Sequence, residues 1–364
     1  MRTTIGKNIK VSIWGGSHEP AIGVDIAGLP RGTQIDMKEL AAFLKRRAPG
    51  SSPLATGRKE PDLPLPVKGL TLTDQAVVTE DIISLEIKNT DTRSADYVKL
   101  RSVPRPGHAD FTACIRYGDS LNMAGGGPFS ARMTAPLCIA GGIAMQLLKK
   151  QGIEIGAHIY SVAEAQDIPF NPVNVSPELL TSLKEKDMAV ISEDAKIEMT
   201  KKILAAKKCN DSVGGIVEVC SLDVPAGIGG AMYDGLESVL APIFFGIPAV
   251  KGVEFGAGFK ACQMYGSENN DPFYFDSNDV RTRTNNHGGI LGGITTGMPL
   301  IVRLAFKPTP SIGIEQDSVD LDKKENTKLI IRGRHDPCVV VRAVPIVEAA
   351  LALGILDSIM EVQK

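Results

Sequence analysis

Residues 24–32 read VDIAGLPRG, and residues 217–230 repeat their pattern as VEVCSLDVPAGIGG. Each stretch runs from alternating apolar residues, which are typical of a strand, into a turn rich in glycine and proline. A helix pattern follows each turn. Asp36 and Glu39 form a capping pair before the first helix, and 233–245 place apolar side chains on one helical face. The repeat indicates an internal duplication of a strand–turn–helix unit.

Other helix and strand patterns are spread along the remaining sequence. Further helices are predicted at 131–150, 177–187, 193–208 and 344–360. Strands are predicted at 11–14, 24–28, 83–89, 215–224, 300–306 and 328–333. No linker rich in serine, glycine and proline separates these elements, so we expect one domain over 1–364. Periodicity by itself indicates only that helices and strands are mixed.

The bulk composition excludes several classes of protein. Apolar residues are 43% and charged residues 23% of the 364 residues, and the formal charge is −2, so no general attraction to nucleic acid or membrane is expected. The N-terminus lacks a secretory pattern, and the most apolar run, 135–148, is too short for a bilayer span. Six cysteines without a C-x-x-C pair predict reduced thiols in the cytoplasm and no metal site.

Several glycine-rich loops could bring backbone N–H groups close to a ligand. AGGGPFSAR at 124–132 lacks the nucleotide-triphosphate loop pattern, and GAGFKA at 256–261 precedes turns instead of the helix that a dinucleotide site needs. Four loops also carry a hydroxyl, amide or cation: WGGSHEP, AGGGPFS, NNHGGILGG and KPTPSIG. Because glycine allows close backbone approach, these loops favour a bound anion or cofactor.

Arginine and histidine recur beside these loops. Arg46 and Arg47 end a predicted helix, where solvent-exposed cations commonly balance the helix dipole. Arg132 opens a helix, where a cation is disfavoured unless an anion accompanies it, and an anionic ligand is the simplest such partner. His18 and His108 are candidate general acids and Asp336 is a candidate base, although each histidine could equally be structural.

A series of short motifs runs along almost the whole sequence, in the order GGSHEP, RPGHADFT, DSVGG, PAVKGVEFG, GSENND, NNHGGILGGITTG, KPTPSI, GRHDPC and RAVP. In these motifs and their order the sequence resembles the chorismate synthase family. The resemblance implies an α+β sandwich, with a helical layer between antiparallel sheets, and a homotetramer. It also implies a lyase that converts 5-enolpyruvylshikimate 3-phosphate to chorismate and phosphate in the shikimate pathway, towards aromatic amino acids. The same resemblance implies that reduced FMN is required without net redox change, and we expect an external source to supply it.

The resemblance also assigns roles to individual residues. His18 would be the acid near the departing phosphate, His108 the proton donor to the reduced flavin, and Asp336 the relay for the proton removed from substrate. The substrate-binding residues would be Ser17, Arg47, Arg105, Arg132 and Arg334. The flavin-lining residues would be Ser130, Ala249, Gly292, Lys307, Pro308, Thr309, Pro310, Ser311 and Arg334.

Four positions depart from the family pattern. Pro128 and Phe129 replace an arginine and a serine expected near FMN, and Glu19 replaces a glycine beside the histidine. Pro53 stands where a second substrate-binding arginine is expected, with Arg58 as its only nearby stand-in. These changes leave open a non-catalytic relative that binds flavin or another anion. A phosphatase, which would release phosphate without flavin, is the rival enzyme class, and a nucleic-acid module is poorly supported.

Overall fold

The computed structural model describes residues 2–50, 54–55, 60–91, 102–331 and 335–362. The helices are α1 (Met37–Arg47), α2 (Asp110–Tyr117), α3 (Thr134–Lys149), α4 (Pro177–Glu185), α5 (Glu193–Lys208), α6 (Leu236–Phe245), α7 (Gly266–Asn269) and α8 (Val340–Val362). The strands are β1 (Arg2–Ile5), β2 (Lys10–Gly15), β3 (Ala21–Ala27), β4 (Gln34–Asp36), β5 (Leu65–Lys68), β6 (Gln75–Val77), β7 (Ile82–Lys88), β8 (Glu154–Val162), β9 (Ala165–Gln166), β10 (Gly215–Leu222), β11 (Val250–Phe255), β12 (Phe273–Asp276), β13 (Asp279–Thr282), β14 (Ile290–Leu291), β15 (Ile294–Thr295), β16 (Leu300–Phe306), β17 (Gln316–Asp320) and β18 (Glu325–Leu329).

Two antiparallel five-stranded sheets form the outer layers of a sandwich. Sheet 1 has the order β1-β2-β3-β7-β5, and sheet 2 has the order β11-β16-β10-β8-β9. Helix α3 packs on sheet 1, helix α8 packs on sheet 2, and the two helices pack on each other. This arrangement confirms the predicted α+β fold with a helical layer between antiparallel sheets.

The two repeated sequence stretches occupy equivalent places in the two sheets. Strand β3 is the centre of sheet 1, and β10 is the centre of sheet 2. The helix after each, α1 or α6, packs against α8. Val24 pairs with Ile13 and Leu85 in sheet 1, whereas Val219 pairs with Val302 in sheet 2. Each copy of the predicted repeat therefore supplies the central strand of one sheet.

The crossing of α3 and α8 is very close. A Cβ atom added to Gly141 would lie 2.2 Å from the Cβ atom of Ala349 and 2.4 Å from its Cα atom. Glycine at this position lets the two backbones approach closely. Both helices are buried on almost every side. An all-round apolar helix needs such a location, between two sheets, to be stable.

Helix α8 also anchors the first residues of the chain. The carboxylate of buried Asp357 accepts hydrogen bonds from the backbone N–H groups of Lys7, Asn8 and Ile9, at 3.0, 2.7 and 2.8 Å. These bonds hold the turn between β1 and β2 against the last helix. Segments near the two ends of the described chain are thus bonded to each other.

Two helical stretches are long and apolar enough to cross a membrane by length and composition, and the first contains the run 135–148, which was expected to be too short. They are Ala131–Lys149 and Val340–Val362. In the fold, 83% and 94% of their apolar windows are buried inside the protein. Their apolar character is therefore explained by packing between the two sheets.

A second buried polar group links strands of sheet 2. His158 on β8 is completely buried, with Nδ1 3.1 Å from Asp167 and Nε2 2.9 Å from Glu218 on β10. Burial lowers the pKa of His158, but the two carboxylates outweigh it and raise the pKa overall. Arg303 on β16 donates to the other oxygen of Glu218 at 2.8 Å. His158 therefore serves sheet packing.

Element boundaries differ from the sequence prediction at several places. The helix predicted at 344–360 begins at Val340, because burial on all sides stabilises a turn that precedes Pro345. The helices predicted at 131–150 and 233–245 each begin with a separate 3-10 turn before α3 and α6. The strand predicted at 328–333 is part of the small hairpin β17–β18, which ends at Leu329.

Candidate active site

One cavity of about 610 Å³ gathers loops from both halves of the sandwich. Its wall is formed by the end of α1, the loop before α2, the glycine loop before α3, the segment between α6 and β11, the loop after β16 and the start of α8. The polar lining residues are Ser17, Arg47, Arg105, His108, Ser130, Arg132, Lys251, Lys307, Thr309, Ser311, His335, Asp336 and Arg342. Among the described lining residues Asp336 is the single acid, so the cavity is suited to anions.

Arg47 and Arg132 line the cavity, and both bind the same carboxylate, Asp62, which lies behind the cavity wall. The Asp62 side chain is fully buried; Arg47 Nη1 donates to its Oδ2 at 2.6 Å, and Arg132 Nη1 donates to its Oδ1. Burial raises the pKa of Asp62, but the two guanidinium groups lower it overall. Glu60 adds a second buried acid 3.8 Å from Arg132.

These contacts correct two expectations about the arginines. The anion beside Arg132 is a protein carboxylate, Asp62, although a ligand was expected to supply it. Arg46 and Arg47 do not project into solvent. Arg47 is 2% exposed, and Arg46 forms a bidentate pair with the buried carboxylate of Glu348 on α8. The position of these two charged residues at a helix end therefore could not show that their side chains bind buried carboxylates.

Arg105, His108 and Asp110 form a compact group on the opposite wall. Asp110 Oδ2 accepts from Arg105 Nε at 2.6 Å, and Asp110 Oδ1 lies 2.7 Å from both Arg105 Nη2 and His108 Nδ1. Arg105 Nη1 also donates to the Ser311 hydroxyl at 3.2 Å. Burial raises the pKa of Asp110, but hydrogen bonds from Arg105 and His108 hold it well below its usual range.

The glycine loop before α3 lies between the two candidate acids. Gly125, Gly126 and Gly127 have φ of +63°, +89° and +51°, values that side chains other than glycine rarely adopt. A Cβ atom on Gly125 would lie 2.0 Å from the His18 ring, and one on Gly126 would lie 3.1 Å from His108 Nε2. The loop therefore forms a cradle that only glycine leaves open.

Asp336 lies at the start of α8 and is held by a nearby arginine. Arg342 Nη1 donates to Asp336 Oδ2 at 2.8 Å, and Arg342 Nε donates to the backbone oxygen of Arg47 at 3.1 Å. Burial lowers the pKa of Arg342, and Asp336 opposes that shift. The contacts connect the candidate base to the same wall that carries Arg47.

Two lysines line the cavity near Ala249. Lys307 donates from Nζ to the backbone oxygen of Gly107 at 2.7 Å. Burial and the neighbouring charge of Lys251 both lower the pKa of Lys307. Lys251 was missed by sequence reasoning, although it stands in the quoted motif PAVKGVEFG. Lys251 is the exposed residue directly after buried Val250 at the start of β11.

The structure brings most sequence-predicted site residues together. The residues that line the cavity are Ser17, Arg47, Arg105, His108, Ser130, Arg132, Ala249, Lys307, Thr309, Pro310, Ser311 and Asp336. His18 lies against the glycine loop, and Pro308 lies between two lining residues. Gly292 lies apart, in the turn that joins β14 and β15. Arg334, Pro53 and Arg58 lie outside the described residues.

Sequence reasoning missed the acids behind the wall, Glu60, Asp62 and Asp110. Their partners are distant in sequence, except for Asp110 within the RPGHADFT motif, and burial of a carboxylate is not visible in composition. His287 lies beside Asp271 and accepts a hydrogen bond at Nδ1 from the backbone N–H of Gly289. His287 lies in the loop before β14 and is not among the residues that line the cavity.

The sequence and the fold both match known proteins. A sequence model described as chorismate synthase matches residues 9–360. The chorismate synthase of Lancefieldella parvula is 44% identical over 99% of this chain and 96% of its own length. That of Thermococcus kodakarensis is 42% identical over 98% and 97%. A solved chorismate synthase crystal structure has a TM-score of 0.72 at 24% identity and covers 98% of this chain and 93% of its own.

The full-length family match agrees with the two-sheet sandwich and with the cationic cavity built from the family's motifs. The similarity covers all parts of the fold that line the cavity. From these observations together, the chain belongs to the chorismate synthase family.

Proposed function

We propose that this chain converts 5-enolpyruvylshikimate 3-phosphate to chorismate and phosphate by anti-1,4-elimination, with reduced FMN as cofactor. The observation that carries the proposal is the meeting of His108 and Asp336 with three arginines in one cavity. The substrate has one phosphate and two carboxylates, and Arg47, Arg105 and Arg132 supply matching charge. Charge-assisted hydrogen bonds of this kind are worth about 1.5–3 kcal/mol each.

The cavity residues fit a flavin. The cavity of about 610 Å³ offers space for a planar ring, and Gly125 and Gly126 let the rings of His18 and His108 pack directly against the loop beside it, because a Cβ atom at either glycine would contact them. Pro128 and Phe129 give this wall an apolar and aromatic surface in place of the arginine and serine of other family members. Ser130, Ala249, Lys307, Thr309, Pro310 and Ser311 would hold the cofactor, together with Pro308 and Arg334, whereas Gly292 lies apart from this cavity.

The proposed reaction divides proton handling among three residues. The chemistry supplied by bound reduced FMN is transient electron donation without net oxidation. His18 would protonate the departing phosphate, and Ser17 beside it would bind substrate. His108 would hold a proton at the cavity face of the cradle, and Asp336 would accept the proton removed from substrate. Arg334 would contact both ligands.

An anaerobic assay of the purified chain tests this proposal. Chorismate absorbance and phosphate release are followed with substrate, with and without dithionite-reduced FMN. We expect chorismate and phosphate in equal amounts, and only with reduced flavin. Phosphate without chorismate would indicate the phosphatase alternative. Flavin binding without either product would indicate a non-catalytic flavin-binding relative, and both results contradict the proposal.

The source of the reduced flavin is a separate part of the proposal. No segment among the described residues is assigned to flavin reduction, and we propose that reduced FMN comes from another protein. The chain should therefore stay inactive with NADPH and oxidised FMN alone. Turnover under those conditions would show that the chain itself reduces flavin.

We also propose a cytoplasmic homotetramer. All six cysteines are free thiols, which suits a reducing compartment. Phe273, Phe275 and Val280 on the hairpin β12–β13 are 63%, 76% and 52% exposed, so another copy of the chain could cover them. Light scattering should give a mass four times the 38.8 kDa of one chain. A monomer mass at micromolar concentration would contradict this assembly.

A further inference from the structure

Asp110 lies behind the cavity wall and contacts a candidate acid that lines it. Its side chain is 8% exposed, and it is the first residue of α2. Oδ1 is 2.7 Å from His108 Nδ1 and 2.7 Å from Arg105 Nη2. Oδ2 accepts from the Arg105 Nε and backbone N–H groups at 2.6 and 3.0 Å. Both oxygens are therefore fixed in position.

These contacts decide which ring nitrogen of His108 carries hydrogen. Nδ1 also lies 3.0 Å from Arg105 Nη2, so it faces both an acid and a guanidinium group. A guanidinium group can only donate, and an ionised carboxylate can only accept. The carboxylate is the closer partner, and four contacts from Arg105 and His108 favour its ionised form. Nδ1 therefore donates to Asp110.

The opposite nitrogen of the ring faces the cavity. A Cβ atom added to Gly126 would lie 3.1 Å from Nε2, so this nitrogen lies beside the glycine loop, whose residues Gly125, Pro128 and Phe129 line the cavity. His108 itself lines the cavity, whereas Asp110 is not among the residues that do. A ring fixed by Asp110 at Nδ1 can exchange protons with a ligand only through Nε2.

We propose that Asp110 is a positioning residue that fixes the Nδ1–H tautomer and the orientation of the His108 ring for proton donation from Nε2. The inference rests on the proposed function, because the role of His108 as proton donor belongs to it. When the protonated ring gives its Nε2 proton to a ligand, the N–H electron pair stays on Nε2. The neutral ring keeps Nδ1–H bonded to Asp110, which remains ionised throughout.

Solid-state ¹⁵N NMR of histidine-labelled protein tests the inference without a variant of Asp110. The chain has five histidines, and a His108→Gln sample identifies the signals of His108. In the wild-type chain we expect neutral His108 to carry hydrogen on Nδ1 and a bare Nε2. A bare Nδ1 with hydrogen on Nε2 would overturn the inference, whatever the variants do.

The variant Asp110→Asn then tests the consequence for catalysis. Its amide can still accept from Arg105 but can donate to Nδ1, so we expect hydrogen to move to Nε2 in the neutral ring. The kcat for chorismate should fall on the order of 10²-fold, which is within the usual contribution of general acid–base catalysis. The KM for substrate should change less than about fivefold, because Arg105 keeps an acceptor.

Asp167→Asn is a matched control, because Asp167 pairs with buried His158 away from the cavity. It should change the His158 signals and leave the His108 tautomer and kcat as in the wild-type chain. A moved tautomer in Asp110→Asn with unchanged kcat would overturn the positioning role. Absence of chorismate in the wild-type assay would instead overturn the proposed function, since the tautomer is measured on the ring nitrogens alone.

Discussion

Asp62 sets the charge balance of two arginines that the cavity exposes to ligands. Its backbone has φ of +49°, and its side chain is completely buried between Arg47 and Arg132. Without that charge the two guanidinium groups would repel each other, and burial already lowers the pKa of Arg132. Burying the Asp62 carboxylate costs desolvation free energy. In return, the carboxylate orients two guanidinium groups that are proposed to bind substrate.

We expect Asp62→Asn to raise the KM for 5-enolpyruvylshikimate 3-phosphate by about 10-fold or more, because both arginines lose their orientation. Removing one partner from a buried ion pair should also cost about 3–5 kcal/mol of unfolding free energy. Steady-state kinetics and urea denaturation measure both effects. Asp74→Asn is the control, since Asp74 is 68% exposed in its pair with Lys38. An unchanged KM in Asp62→Asn would contradict the orienting role.

Gly126 provides a second residue-scale prediction. An alanine there would adopt a positive φ, and its Cβ atom would lie 3.1 Å from His108 Nε2. We expect Gly126→Ala to weaken FMN binding by about 10-fold or more, because the added methyl group would push the His108 ring out of its position at the cavity wall. Flavin fluorescence titration measures the Kd. Gly118→Ala is the control, because Gly118 also has a positive φ but no atom within 4 Å of an added Cβ. An equal loss of FMN affinity in both variants would show that backbone strain alone causes the effect.

Single residues show where sequence reasoning succeeded and where it failed. The positions of His108, Asp336 and the arginines followed from recognisable motifs, and most of them line one cavity. The partner acids could not be predicted, because Asp62 reaches Arg132 only after the chain has folded. The dipole argument for Arg132 correctly required an anion. It could not decide between a ligand and a carboxylate from elsewhere in the chain.

At the scale of elements, the contact between α3 and α8 joins the two halves of the sandwich. We expect Gly141→Ala to lower the unfolding free energy by about 1–3 kcal/mol, because the added methyl group must push the helices apart. Thermal and urea denaturation measure this loss. Gly266→Ala in α7 is the control, since no atom lies within 4 Å of its added Cβ and φ is not positive. That variant should be neutral or slightly stabilising.

A Gly141→Ala chain that is as stable as the wild type would show that the two helices can separate without loss. The sequence predicted the existence of both helices from apolar runs. It could not predict the crossing, because an all-round apolar helix has no face that identifies its neighbour. The paired sheets were likewise inferred from the family resemblance, since alternation defines strands without their partners.

At the scale of the whole molecule, buried charge pairs predict how stability depends on pH. Burial raises the pKa of Asp167 and of Glu218, but hydrogen bonds from His158 and from backbone N–H groups, together with the charge of His158 at Glu218, lower these pKa values overall from 3.8 and 4.5. Their stabilisation is therefore complete above those values and is lost as pH falls through the lower folded pKa values. The raised pKa of His158 gives stabilisation that is complete below 6.5 and is lost as pH rises through its folded pKa.

We therefore expect the unfolding free energy to be largest between about pH 5 and pH 7 and to fall on acidification. Urea denaturation at a series of pH values measures this profile. Asp167→Asn should flatten the acidic side, because the variant has no proton to take up at that position. A steeper acidic side in the variant would contradict the assignment of this cluster.

The position of α8 sets a limit on how the chain can fold during synthesis. This helix is translated after every other described element, yet it forms the centre of the sandwich and holds the β1–β2 turn through Asp357. Until it leaves the ribosome, the inner face of sheet 2 and the side of α3 that faces α8 lack this partner, and long-range contacts of this kind form slowly. A nascent chain of this protein must therefore remain protected from aggregation until its final helix closes the core.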